Sequence, residues 1–310
     1  MMSKVSSQKS TIEKSPQVSI GMPVYNGEKF ICEALDSLLK QEFTDFELII
    51  SDNASTDRTE DICREYAAKD PRIRYLRQPY NIGGQKNFSF VVDESRSQYF
   101  TWLAHDDVLN DSFLDNCVDF LDNNPGVALV SGDFLAISES GSDIEVKQLL
   151  EIRLKIPWQK RAAEFYRVPI SNAFFCIYGL MRKDVLVEVL LNIREGPLMS
   201  ASELPLLSRF AAIAEIVSLP VILRQYRYHE KSAFHVERNE LLSYPVKGRI
   251  IRCYNRIWHR FDQFWVLIKS SNSFLFKLHV GYIVLRFNLS DFLMRCRRNV
   301  KKIRRSLRGL

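Results

Sequence analysis

Phe46-Glu-Leu-Ile-Ile-Ser-Asp-Asn-Ala-Ser-Thr-Asp57 is the stretch that decides how this chain folds. Phe46 to Ile50 has the length and the Ile/Leu content of a buried strand. It opens directly onto Ser51 to Asp57, a loop of helix-capping residue types. Asp57, with Glu60 three residues on, resembles a capping box, so a helix is expected from there to about Lys69. A buried strand, a polar loop and then a helix form the repeating unit of a parallel sheet.

The same unit recurs on both sides. Val18 to Val24 reads as a first strand ending at the turn Tyr25-Asn26-Gly27. Glu28 to Gln41 then places Phe30, Ile31, Ala34, Leu35, Leu38 and Leu39 at helical spacing. Downstream, strands are expected at Ile73 to Leu76, Tyr99 to Leu103 and Val127 to Ser131, with helices at Gln85 to Glu94 and Asp111 to Asn123. The alternation predicts an α/β fold, a mostly parallel sheet flanked by helices. Ligands of such sheets bind beyond the carboxyl ends of the strands. Those ends carry Tyr25-Asn26, Asp52-Asn53, Gln78 to Gly84 and His105-Asp106-Asp107, all rich in ligand-type side chains. After Ser131 the pattern loosens. Residues 138–147 read as a polar loop, Ala173 to Met181 as a strand, Asp184 to Leu191 and Glu203 to Ala214 as helices, and Ile216 to Leu223 as a strand.

With 310 residues, 46% of them hydrophobic and 26% charged, the chain can bury a sizeable core. That composition excludes wholesale disorder, collagen and a disulfide-stapled miniprotein. The net charge of +6 conceals an asymmetry: residues 245–310 hold 16 Lys/Arg against 2 Asp/Glu, and the rest of the chain is mildly acidic. The six cysteines are scattered, with no CxxC pair, which fits thiols in a reducing cytosol. Met1 to Pro16 is polar, lacks an apolar signal-peptide core and is expected to be a disordered lead-in. No apolar run is long enough for a transmembrane helix.

Asp106-Asp107 at the end of the fourth strand is the sharpest chemical feature. Adjacent carboxylates repel and are costly to bury unpaired. They read either as a solvated loop before the next helix or as a site for a hard cation that also meets phosphate oxygens. Asp52-Asn53 reads as a capping loop, as an acceptor for a base N–H or ribose hydroxyl, or as both. The glycine-rich dinucleotide turn, the GxxxxGK[ST] phosphate loop and the GxSxG elbow are absent, which argues against nicotinamide, ordinary ATPase and serine-hydrolase chemistry.

Taken in order, the blocks Val18 to Gly27, Phe46 to Asp57, Asn81-Ile-Gly-Gly-Gln-Lys-Asn87 and Asp106-Asp107 resemble those of family 2 glycosyltransferases, over about Val18 to Ser232. The resemblance implies a GT-A fold and inverting transfer from a nucleotide-sugar, with a UDP-sugar as the expected donor and Mg2+ or Mn2+ as cofactor. It places Pro23 and Tyr25 against the nucleobase, with Tyr25 stacking. Asp52 and Asn53 fall in the uracil- and ribose-reading block, Lys86 or Asn87 near the diphosphate. Asp107 would be the metal ligand and Asp106 a ribose or sugar contact. Glu203, at the start of a helix, matches the catalytic base, and also reads as a glutamate stabilised by a helix dipole. Tyr226-Arg-Tyr-His-Glu-Lys-Ser232 resembles a further family segment, in which Arg227 would meet phosphate and His229 the metal.

The basic tail alternates aromatic and basic residues at helical steps. It reads as a core-facing helix or as an in-plane membrane helix drawn to an anionic surface. The expected organisation is therefore a lead-in at 1–16, a nucleotide-sugar-binding half at 17–135, an acceptor-binding half of the same domain at 136–243 and a basic helical extension at 244–310. The resemblance implies transfer of a sugar to a hydroxyl of a glycan in surface polysaccharide biosynthesis, and the resemblance together with the tail implies a lipid-linked acceptor. The expected location is cytoplasmic, peripheral on the inner face of the membrane, with no nucleic acid partner. The alternative is a non-catalytic nucleotide-binding scaffold at the membrane.

Overall fold

The computed structural model describes residues 15–147, 174–194, 206–207, 210 and 213–230. Within them the chain forms β1 (Val18–Val24), α1 (Ile31–Leu39), β2 (Phe46–Asp52), α2 (Thr59–Lys69), β3 (Ile73–Arg77), α3 (Gly84–Asp93) and β4 (Tyr99–Trp102). Next come β5 (Val108–Leu109), α4 (Phe113–Asn123), β6 (Val127–Ile137) and β7 (Asp143–Lys147). A 3-10 turn (Phe174–Tyr178), β8 (Leu180–Arg182), α5 (Lys183–Arg194) and β9 (Glu215–Arg227) follow.

All nine strands join one sheet, in the order β3-β2-β1-β4-β8-β6-β9-β5, with β7 beside β6. β3, β2, β1 and β4 are mutually parallel. β8 is antiparallel to both β4 and β6, so β6 resumes the direction of β4, and β9 runs parallel to β6. The architecture is thus the expected mixed α/β fold with a mostly parallel sheet, interrupted by the short reversed strand β8, with β5 and β7 also antiparallel to their neighbours β9 and β6.

Every residue of β1 and β2 is buried, as strands covered on both faces require. Their side chains still alternate: Leu48 and Ile50 join a core cluster with α1 and α4, whereas Ile49 joins one with Val91 of α3 and Leu186 of α5. Helix α1 buries Ile31, Ala34, Leu35 and Leu38, an apolar stripe at i, i+3, i+4 and i+7. Gly21 lets α3 approach β1, because a Cβ there would lie 2.6 Å from Val91 Cγ2 and 2.7 Å from Phe100 Cζ.

Three expectations are corrected. Residues 138–147 are not a loop throughout: β6 runs on to Ile137 and turns back as β7 at Asp143, with Gly141 at φ +85° in the turn. Ala173 to Met181 is not one strand; the 3-10 turn precedes a three-residue β8. Asp57 and Glu60 do not form a capping box. Asp57 Oδ1 accepts the Thr59 N–H at 3.0 Å, while Glu60 pairs with Arg64 and Arg77. The lead-in before Ser15, Glu203 and the extension at 244–310 lie outside the described residues.

Candidate functional site

Parallel strands bring their carboxyl ends to one lip. In register, Val24 lies beside Asp52 and Asp52 beside Arg77. Asn26 (φ 53°) and Ala54 (φ 61°) turn left-handed immediately beyond the first two strands. A non-glycine residue there costs about 1–2 kcal/mol, so other contacts hold the turns. The Asn26 N–H donates to Ser55 Oγ at 2.9 Å, the Thr56 N–H to Asn26 Oδ1 at 2.8 Å and the Gly27 N–H to Thr59 Oγ1 at 2.8 Å. The Ser/Thr/Asp content of residues 51–57 therefore stitches one loop to its neighbour more than it caps α2.

At the β2 and β3 ends, Asp52 is fully buried. Its Oδ2 accepts the Tyr75 hydroxyl at 2.6 Å and Arg77 Nη1 at 2.7 Å, and its Oδ1 accepts the Ser55 N–H at 2.8 Å. The Arg77 side chain keeps 32% of its surface exposed, so it is the member of the pair that reaches solvent. Asn53 is also buried. Its amide donates to Asn81 Oδ1 at 2.9 Å and its Oδ1 accepts the Ile82 N–H at 2.8 Å, which ties the loop before α3 to β2. Tyr25 is 45% exposed, and Pro23 is buried inside β1. Of the two diphosphate candidates, Lys86 is exposed. Asn87 is not available: it is buried, accepts Ser51 Oγ at 2.5 Å and donates to the Ser51 carbonyl at 2.9 Å, pinning α3 to β2.

Across the lip, the loop 103–107 carries the two acids, and their roles differ from expectation. Asp106 Oδ2 lies 2.8 Å from His229 Nε2, with 14% and 9% of the side chains exposed. The imidazole packs on Phe30 at a centroid separation of 4.9 Å. Burial raises the Asp106 carboxyl, but the His229 hydrogen bond and the positive charge of the nearby histidines outweigh it and hold the group below the usual range. Asp107 points the other way and is fully enclosed. Its Oδ1 accepts the Arg227 N–H at 3.2 Å, and Arg224 Nη1 stands 3.7 Å from its Oδ2. Burial and the Asp106 charge push Asp107 up to about 7, against the pull of Arg224. An acid turned inward in this way is not presented to a ligand, so Asp106, not Asp107, is the acid that faces His229.

Arg227 is likewise turned inward, which corrects its assignment to phosphate. It is 1% exposed. Its Nε donates to the Asp106 carbonyl at 3.1 Å, Nη1 to the Glu139 carbonyl at 3.2 Å, and Nη2 to Glu33 Oε2 at 2.6 Å. The guanidinium also stacks on Phe30 at 4.9 Å. It fastens α1, the acid loop and the β6–β7 turn together.

Asp106 and His229 thus present one oxygen and one nitrogen ligand at a single point, and no cluster of three or more His, Cys, Asp or Glu forms among the described residues. Two protein ligands suit a hard cation that completes its shell with phosphate oxygens and water. That donor set fits Mg2+ or Mn2+.

Residues 19–189, more than half of the chain, match the family described as Glycosyl transferase family 2. The chain belongs to glycosyltransferase family 2. An uncharacterized glycosyltransferase of Haemophilus influenzae is 23% identical over 259 residues, 79% of this chain and 77% of its own length. One of Rickettsia felis is 32% identical over 134 residues, and there this chain spans 21% of the relative's length. Among solved structures, S. aureus TarS in complex with UDP-GlcNAc superposes with a TM-score of 0.59 at 19% identity, covering 87% of this chain and 71% of TarS. The mannosyltransferase PcManGT from Pyrobaculum calidifontis in complex with GDP-Man and Mn2+ gives 0.52 at 16% identity, covering 83% and 74%. These structural likenesses concern the fold.

Sequence reasoning missed four members of this family-2 site. Arg77 was legible as the residue ending a strand that borders β2. Arg224, a charge directly after the apolar stretch Leu219 to Leu223 of β9, was a visible anomaly. Phe30 and Glu33 carried no signal, since their partners Arg227 and His229 lie at the end of β9 and just beyond it, nearly two hundred residues away.

Proposed function

We propose that this chain is an inverting, cation-dependent glycosyltransferase that moves a sugar from a UDP-sugar to a hydroxyl of a glycan acceptor. The observation that carries this reading is the Asp106–His229 pair on the same lip as Tyr25 and the Asp52–Arg77 pair. Tyr25 stacks on the base. A carboxylate has about four acceptor sites and three on Asp52 are engaged, so its main work is to hold Arg77, whose remaining N–H groups meet a base carbonyl. Lys86 neutralises diphosphate oxygens. Asp106 and His229 hold the cation, with Arg227 fixing the Asp106 backbone and Phe30 fixing the imidazole. When bound, Mg2+ or Mn2+ supplies positive charge at the departing diphosphate. The proposed base is Glu203, which takes the acceptor hydroxyl proton as that oxygen attacks the anomeric carbon opposite the leaving group. TarS with UDP-GlcNAc, and PcManGT with GDP-Man and Mn2+, support a nucleotide-sugar donor and a cation.

For the acceptor, a lipid-linked glycan of a surface polysaccharide is proposed, with residues 244–310 holding the protein peripherally on the cytoplasmic face of an anionic membrane. The support is the 16-to-2 excess of basic over acidic residues from position 245 onward. A donor screen tests the reading. Release of the nucleoside diphosphate is measured for UDP- and GDP-sugars, with Mn2+ and with EDTA. Mn2+-dependent release from a UDP-sugar is expected; release from no donor would overturn the proposal.

A further inference from the structure

Arg224 is buried near the C-terminal end of β9, 5% exposed, and takes no part in the ligand contacts proposed above. Removing a guanidinium from water costs several kcal/mol unless partners compensate, and an apolar residue of similar size would avoid that cost. Yet Arg224 is incompletely paired. Among the described residues its Nε and Nη1 have no hydrogen-bond partner, and neither has Asp107 Oδ2, 3.7 Å from Nη1. What it does hold is specific. Nη2 donates to the Trp102 carbonyl at 3.1 Å, where β4 ends and the acid loop begins. Arg224 also pairs in register with Leu109 of β5, just after the acid loop ends. The guanidinium lies over the Tyr178 ring at 4.5 Å and borders a small cavity that Ser131, Gly132 and Phe134 also line.

From these contacts we infer that Arg224 is a positioning residue. It holds the acid loop through its hydrogen bond to the Trp102 carbonyl and through its charge 3.7 Å from the Asp107 carboxylate, so that the carboxylate of Asp106 is presented to His229. β9 then acts as a ruler for the site. Arg224 holds the loop from beneath, Arg227 binds the Asp107 carboxylate and the Asp106 carbonyl through its own N–H and Nε, and His229 meets the Asp106 carboxylate. This inference rests on the cation-dependent reading above.

The test uses the full chain and reads cation capture directly. Binding of Mn2+ in the presence of UDP is followed by electron paramagnetic resonance, and UDP affinity is measured separately in EDTA. For Arg224→Met the Mn2+ needed for half-saturation should rise about tenfold, with UDP affinity in EDTA within about twofold of wild type. Arg224→Lys should recover part of the loss, since the charge returns without the planar fork. Should Arg224→Met fail to fold, Arg224→Ala with added guanidinium serves instead, and guanidinium should restore Mn2+ capture. Unchanged Mn2+ capture in Arg224→Met, equal losses with and without Mn2+, or no rescue by lysine or guanidinium would overturn the inference. Wild-type protein that captures no Mn2+ with UDP would instead overturn the reading beneath it, and the inference with it.

Discussion

His229 Nε2 stands 2.8 Å from Asp106 Oδ2 although 123 residues separate them in the chain. Only the parallel course of β4, β6 and β9 makes that meeting possible, because it delivers the ends of β4 and β9 to one lip. Phe30 and Arg227 then set the two groups: the ring packs on the imidazole, and the guanidinium holds the Asp106 carbonyl.

Tyr25→Ala should weaken UDP binding about tenfold, the value of one lost base–aromatic stack of about 1–3 kcal/mol. Tyr25 is 45% exposed, so the midpoint of thermal unfolding should stay unchanged. Tyr25→Phe should bind like wild type. Isothermal calorimetry distinguishes the three proteins, and full UDP affinity in Tyr25→Ala would remove the stacking role.

Arg227→Met should destabilise the fold by about 3 kcal/mol, since it removes a buried guanidinium that donates to the Asp106 and Glu139 carbonyls and pairs with Glu33. UDP affinity in EDTA should not change, because the guanidinium faces inward. Urea unfolding reads the first quantity and calorimetry the second. A stable variant with weakened metal-free UDP binding would restore Arg227 to a phosphate-binding role.

Glu47 gives a pH signature far from the site. Burial raises its carboxyl, but Ser19, Arg96 and Arg74 donate to it and hold it below its ordinary 4.5. A depressed acid contributes stability that is present above the unfolded value and lost as pH falls through the folded one. The stability gap between wild type and Glu47→Gln should therefore be full at pH 7 and shrink below about pH 4.5. Denaturant unfolding at a series of pH values checks this; a constant gap would show that ionisation of Glu47 contributes nothing.

Much of the fold was legible because β1 and β2 are buried on both faces and read as short, mostly apolar runs, interrupted only by Ser19 and Glu47 before the polar ends of β2. The Asp52 and Asp106 positions were legible for the same reason, since polar residues cluster where such runs stop. What escaped were directions rather than identities. Asp106 and Asp107 are indistinguishable by type, and only the backbone turn after Leu103 sends one to His229 and the other to Arg224. Arg227 and Asn87 have the chemistry of phosphate ligands, but β9 and α3 point both into the protein. The short reversed β8 left no periodicity to read, because three residues cannot show alternation.

The most direct test of the central claim is calorimetry of UDP with wild type, Asp106→Asn and His229→Asn, each in Mn2+ and in EDTA. The expected result is that Mn2+ tightens UDP binding to wild type at least about tenfold, that both variants lose this gain, and that all three bind alike in EDTA. Equal Mn2+-assisted tightening in wild type and both variants would contradict the assignment of the cation to Asp106 and His229.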